Sequence, residues 1–251
     1  MRFYLTGEGP SDLCDRVSGV PGLLKDALVQ LSAKDVDPSS VEYVGVSRIT
    51  LKTYSGRGIR PSRQMLLRGN RRTEGKLADV VRVAESFGRF TAAQDDDECG
   101  AVLFADCDFT NSQVNNPDRY HLQMIEAVET GFHAADGFRW GVAMIPKMRS
   151  ESWLLCKYQA VPYAPGVRFE ALPANDQAPN CAKNELSSFL GVPVDEMYAR
   201  VIYSDAIDWT RIDCPSYKFF ERRFRYVLCC LAHVSPDCTE PETLVTKGAR
   251  P

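Results

Sequence analysis

Long apolar runs are missing from this chain of 251 residues. Nothing in it approaches the roughly 18 uninterrupted apolar residues of a membrane-spanning helix, so no span is expected. The opening MRFYLTGEGPSD has neither an h-region nor a small-residue cleavage site, and secretion is not expected either. The nine cysteines show no regular spacing. Without an export signal they read as reduced, buried, small apolar residues of a cytoplasmic protein, not as a disulfide framework. A surplus of positive charge is also lacking: the net charge of −3 excludes a uniformly basic coat for nucleic acid. There is no internal repeat, no low-complexity block and no P-loop, which excludes a solenoid and places any ATP-driven step on another protein.

What is present is ordinary for a globular chain, at 44% apolar and 25% charged residues, with enough length to bury a real core. Strand-like runs at 2–7, 41–49, 101–108 and 140–146 alternate with helical patterns at 11–33, 73–87, 118–134 and 150–158. That order predicts an α/β fold with a Rossmann-like, doubly wound parallel sheet over residues 1–160. Residues 161–251 read as a mainly helical C-terminal region, with helices expected at 182–190, 194–203 and 217–234.

Charge is unevenly spread. From Arg48 to Lys76 nine basic residues face one acid, Glu74. Gly56, Gly58, Pro61 and Gly69 make much of this segment a loop. Arg57, Arg60, Arg63, Arg68, Arg71 and Arg72 are its candidates for binding a phosphate backbone, since each neutralised phosphate releases a condensed counterion. The competing reading is a solvated basic loop.

Acids gather where the strands end. The first strand runs into Glu8-Gly9-Pro10-Ser11-Asp12, the third into Asp106-Cys107-Asp108, and the fourth into Pro146-Lys147 with Glu151 beyond. On an extended chain Asp106 and Asp108 point the same way, and their repulsion calls for a hard cation held through oxygen. Glu8 and Asp12 lie four apart across a strand-to-helix turn. If the first and third strands are neighbours, four carboxylates surround one spot, a Mg²⁺ or Mn²⁺ site suited to phosphoryl chemistry.

These blocks resemble the TOPRIM domain of topoisomerases, primases and OLD-type nucleases. They resemble more closely the compact TOPRIM-like proteins of bacterial defence and restriction-associated loci, of the RloB kind. The likeness extends to IPKMRSESWLL at 145–155 and CPSYKFFERRF at 214–224. Ser150 stands before Glu151 where an apolar residue is expected. The resemblance implies a Mg²⁺-dependent nuclease acting on DNA or RNA, tRNA included, as an antiviral effector beside an ABC- or AAA-type ATPase; homo-oligomerisation is left open. It implies Glu8 as metal ligand or general base, Asp12 as a second ligand, and Asp106 and Asp108 as the central ligands. Lys147 would stabilise the transition-state phosphate, and Glu151 would be a further ligand.

Two rivals stand beside this reading. VLFADCDFT fits the nucleophile motif of a HAD-type phosphatase, with Asp106 attacking phosphorus, although 105 residues precede it. The alternative without catalysis is a nucleic-acid or partner-binding sensing module. Cys229, Cys230, His233 and Cys238 are close enough in sequence to raise zinc, but their spacing is not that of paired ligands. A carboxylate field around Cys107 disfavours a thiolate nucleophile. His121 and His133 are expected on the polar face of a helix, and Tyr4 and Trp153 in the core.

Overall fold

The computed structural model describes residues 1–7, 22–55, 71–94, 98–107, 116–173, 175–204 and 206–234, with backbone alone at 71–74 and 202–204. The chain runs β1 (Arg2–Thr6), α1 (Leu23–Ser32), β2 (Glu42–Gly45), α2 (Arg48–Lys52), α3 (Arg71–Ala92), β3 (Cys99–Phe104), α4 (Pro117–Ala134) and β4 (Gly141–Met144). It continues through α5 (Glu151–Leu154), α6 (Ala182–Leu190), α7 (Met197–Ser204) and α8 (Pro215–Leu231). Among the described residues no helix is long and apolar enough to cross a membrane.

The four strands form one parallel sheet in the order β2-β1-β3-β4. Side chains alternate between its faces, as a period of two requires. Phe3, Leu5, Val102, Phe104, Val142 and Met144 enter one core, whereas Tyr4, Ala101, Leu103, Ala143 and Ile145 enter the other. Helices α3 and α4 cover the second face through Leu77, Val80, Ala84, Phe87, Met124, Val128 and Phe132. The first face is covered by α1 together with α5, α8 and the chain between them, including Leu28, Trp153, Trp209, Phe220 and Phe224. Residues on both sides of position 160 therefore share one core. β3 is buried along its whole length, which is why its sequence is a continuous apolar run instead of an alternating one.

Helix α4 begins where the sequence provides for a start. Asn116 caps it, its side-chain oxygen accepting the Arg119 N–H at 2.9 Å, and Pro117 occupies the first turn. It lies close against α3 because residue 131 is glycine. A Cβ there would come within 2.4 Å of the Val81 carbonyl oxygen and 2.5 Å of the Ala84 Cβ. The first contact is backbone, so any side chain would push the two helices apart.

Several boundaries differ from expectation. The second strand stops at Gly45, because Ser47 turns the chain into α2 with its hydroxyl oxygen accepting the Thr50 N–H at 3.0 Å. The basic segment thus opens as a helix, and α3 takes up its end from Arg71 onward. β3 ends at Phe104 and not at 108, so Asp106 stands beyond the strand. The helix expected at 150–158 is one turn, Glu151–Leu154, followed by turns.

Candidate active site

The strand order has one topological consequence. From β1 the chain moves outward to β2, then returns to place β3 on the other side of β1. In an open parallel sheet such a reversal leaves a crevice outside the carboxyl ends of the two central strands. Thr6 pairs in register with Leu103. The chain therefore leaves β1 toward Glu8 and leaves β3 toward Asp106 from neighbouring points on one edge. The expected adjacency of the first and third strands holds.

Asp106 is half-buried at that edge. Its Oδ1 accepts the Ser150 N–H at 3.2 Å, and its carbonyl oxygen accepts the Lys76 ammonium at 3.1 Å. Ser150 is buried, and so is Glu151 beside it at 2% exposure. The Tyr198 hydroxyl donates to Glu151 Oε1 at 2.8 Å and lies 3.4 Å from the Ser150 hydroxyl. Burial first, and then the Glu151 charge, push the Tyr198 phenol well above its ordinary range. It stays protonated and remains a donor. Asp106, Ser150, Tyr198 and Glu151 are thus one linked polar group. The serine that departs from the expected pattern contributes its main-chain N–H to Asp106.

Lys147 follows β4 at the same edge. Its ammonium lies 2.5 Å from Asp118 Oδ1, and its main-chain N–H donates to the Ser216 hydroxyl oxygen at 3.2 Å. That ion pair holds the Asp118 carboxyl below its usual range. The next residue, Met148, has φ 71° with its side chain buried. A non-glycine in this left-handed region costs about 1–3 kcal/mol and persists only where its surroundings impose it. Here the turn swings Lys147 to the rim while Met148 enters the core.

Ser216 joins the two C-terminal motifs. Its hydroxyl donates to Glu170 Oε1 at 2.5 Å and accepts from Trp153 Nε1 at 2.8 Å, and its N–H donates to Glu170 at 2.9 Å. Burial raises the Glu170 carboxyl, and the Ser216 bonds oppose that shift. Trp153 and Tyr4 are core residues, as expected.

Of the acids expected to bind metal, Glu8, Asp12 and Asp108 lie outside the described residues, as do Arg57, Arg60, Arg63 and Arg68. Arg71 and Arg72 open α3. The structure brings Asp106, Glu151 and Lys147 to one edge and adds three residues that the sequence did not mark as site residues: Lys76, named only within the basic cluster, Ser150, named only as a departure from the pattern, and Tyr198. Asp106 and Glu151 supply carboxylate oxygens, the kind of ligand a hard divalent cation takes. Among the described residues, no three His, Cys, Asp or Glu side chains could hold an ion by themselves. Cys238 is outside the described residues. Cys229 is buried, and His233 lies 3.3 Å from Glu98.

His121 is corrected: it is buried, and its Nε2–H donates to the Ile145 carbonyl at 2.8 Å. With Met124, Ile125 and Val128 it falls on the buried stripe of α4, whereas His133 is exposed. Burial above all, with the Lys147 charge adding to it, lowers the imidazole below its ordinary 6.5, against the Ile145 bond and the Asp118 charge. The unfolded chain then binds a proton at higher pH than the folded one. Stability is full above about pH 6.5 and falls on acidification through the lowered folded value. His121→Gln keeps a donor and does not titrate, so its melting temperature should fall less than the wild type's between about pH 7.5 and about pH 5. Equal slopes for the two proteins would count against this account.

No family model, curated protein or solved structure matches the chain.

Proposed function

We propose that the chain is a TOPRIM-like, divalent-metal-dependent nuclease that hydrolyses nucleic-acid phosphodiesters. The observation that carries this reading is the adjacency of β1 and β3 at the sheet's reversal point, with Glu8 two residues beyond one strand and Asp106 two beyond the other. Asp106, with Glu8, Asp12 and Asp108, is the set that would hold Mg²⁺ or Mn²⁺. A bound cation supplies charge stabilisation for the attacking and leaving oxygens of the phosphate.

The chain's own groups have separate tasks. Ser150 orients the Asp106 carboxylate through its N–H, and Tyr198 fixes the Glu151 carboxylate by donating to it. Lys147, leaving Asp118 for the phosphate, would place positive charge where negative charge develops. Without a P-loop in the chain, coupling to ATP would come from a partner ATPase, in keeping with a role in antiviral defence.

The test is incubation of the purified chain with plasmid DNA, bulk tRNA and a generic phosphomonoester, in Mg²⁺ or Mn²⁺ and in excess EDTA. Strand cleavage that requires the metal is expected. Turnover of the phosphomonoester alone, blocked by beryllium fluoride, would replace this reading with a phosphatase using Asp106 as nucleophile.

A further inference from the structure

Cys156 and Cys214 meet inside the first core. Their sulfurs lie 3.1 Å apart, and both residues are 0% exposed. A disulfide holds its sulfurs at about 2.05 Å, so closing this pair takes a movement of roughly 1 Å. The two thiols stand in segments that are already joined. Cys156 follows Trp153 by three residues and Cys214 precedes Ser216 by two, and the Trp153 Nε1–H donates to the Ser216 hydroxyl oxygen at 2.8 Å. Cys214 is also the N-cap residue of α8. Its other acceptors, the Ser152 and Gly166 carbonyl oxygens, are farther off at 3.6 and 3.7 Å. The cover over the pair is thin. A Cβ on Gly166 would come within 2.3 Å of Cys156 Sγ and 2.6 Å of Cys214 Sγ, so bare main chain lies against both sulfurs. The neighbours of that glycine, Pro165 and Val167, are exposed. Residues 159–168 are turns and bends outside helix and sheet, the kind of segment that opens locally most readily.

We propose that Cys156 and Cys214 are a site of oxidation by hydroperoxides, closing to a disulfide that fastens the turn after α5 to the start of α8. Neither thiol has a task in the nuclease reading, so the proposal stands apart from it. The Cys214 hydrogen bond lowers the Cys156 thiol, helped by the Asp213 main chain and opposed by burial and by the Glu170 and Asp213 charges. That same bond, with burial, raises the Cys214 thiol. Cys156 is therefore the attacking sulfur. Its thiolate takes one oxygen of hydrogen peroxide, the O–O bond breaks, and hydroxide leaves as Cys156 becomes a sulfenic acid. Cys214 then attacks that sulfur, the S–O bond breaks, and a second hydroxide leaves as the S–S bond forms. The two thiol protons turn both hydroxides into water, and the two electrons lost by the thiols reduce the peroxide. The bond makes covalent the junction that Trp153 and Ser216 otherwise hold by packing and one hydrogen bond.

The test is peptide mapping of the full chain by mass spectrometry after titration with hydrogen peroxide, with unreacted thiols alkylated as the chain is unfolded. The expected product is a peptide pair joined through Cys156 and Cys214, lighter than its reduced parts by two hydrogens and separated by dithiothreitol. The bond closes a loop whose ends are 58 residues apart, and the melting temperature of the oxidised chain should rise by about 10 °C. Cys214→Ala should lose both the cross-link and the rise. Cys230→Ala, at a half-buried cysteine elsewhere on α8, should keep both. The mapping is done on the wild-type chain, so it decides even where Cys214→Ala does not fold. Cross-links confined to other cysteines, sulfinic acid at Cys156 without a cross-link, or no reaction at either residue would overturn the proposal. So would a melting temperature that stays level once the bond has formed.

Discussion

Glu8→Gln should slow metal-dependent strand cleavage by on the order of 10²–10⁴, the usual worth of a positioned acid or base. Glu8 leaves the strand whose last residue, Thr6, pairs with Leu103, and Asp106 leaves the strand that carries Leu103. The variant keeps size and hydrogen-bonding capacity and removes only the charge that a cation or an attacking water needs. Asp106→Asn should cost at least as much. By itself it is uninformative, because a phosphatase with Asp106 as nucleophile also fails. Glu8 has no role in the phosphatase, so the pair of variants separates the two chemistries. Cleavage that persists in Glu8→Gln at the wild-type rate would remove Glu8 from the site and, with it, the proposed ligand set.

Trp153→Ala should destabilise the fold by about 3–5 kcal/mol, the range for deleting a buried large aromatic. A domain is stable by only about 5–15 kcal/mol, so much of the folded population is at stake. Trp153 is 0% exposed. Its ring stacks on Phe220 at 6.0 Å between centroids and meets Tyr217 edge-on at 5.1 Å. Its loss opens a cavity between α5 and α8 and leaves the Ser216 hydroxyl oxygen without the indole N–H. Trp153→Phe restores much of the packing but not that donor, and should fall between the two. Urea denaturation measures both. A loss below about 1 kcal/mol in Trp153→Ala would mean that the α5–α8 junction contributes little.

Some of this was readable from local pattern. The run in β3 reads as a strand buried on both faces because every position is apolar, and Trp153 beside Leu154 reads as core. The burial of His121 was also within reach, since it stands three, four and seven residues before Met124, Ile125 and Val128 on the apolar stripe of α4. Its polarity outweighed its position. The end of β2 was not readable in the same way. Val46 continues the strand's apolar character, and only the hydroxyl of Ser47, capping Thr50, turns the chain into α2.

The linked group around Asp106 was partly legible. Asp106, Lys147 and Glu151 follow strands and could be singled out for that reason. Tyr198 sits on a helix with no motif of its own and Lys76 was legible only as the end of a basic cluster; they reach Glu151 and Asp106 because of where α7 and α3 pack. The Ser216 hub depends on contacts 46 and 63 residues distant in the chain, with Glu170 and Trp153.

By itself the sequence determined the four strands and most of the longer helices, though not α2 or the end of β2, because the apolar runs of β1 and β3 and the spacing of three and four in α4 are local properties of the chain. It also determined that acids follow two strands. It did not determine that those two strands lie side by side. The same local patterns serve several strand orders, and the choice depends on which faces of the sheet the intervening helices can cover. Here α3 and α4 close one face and α1, α5 and α8 the other, and that packing puts β3 next to β1. Tertiary structure alone therefore decided that the chain leaving Thr6 for Glu8 and the chain leaving Phe104 for Asp106 emerge from neighbouring points on one edge, and that Asp106 there meets Ser150 and Lys76.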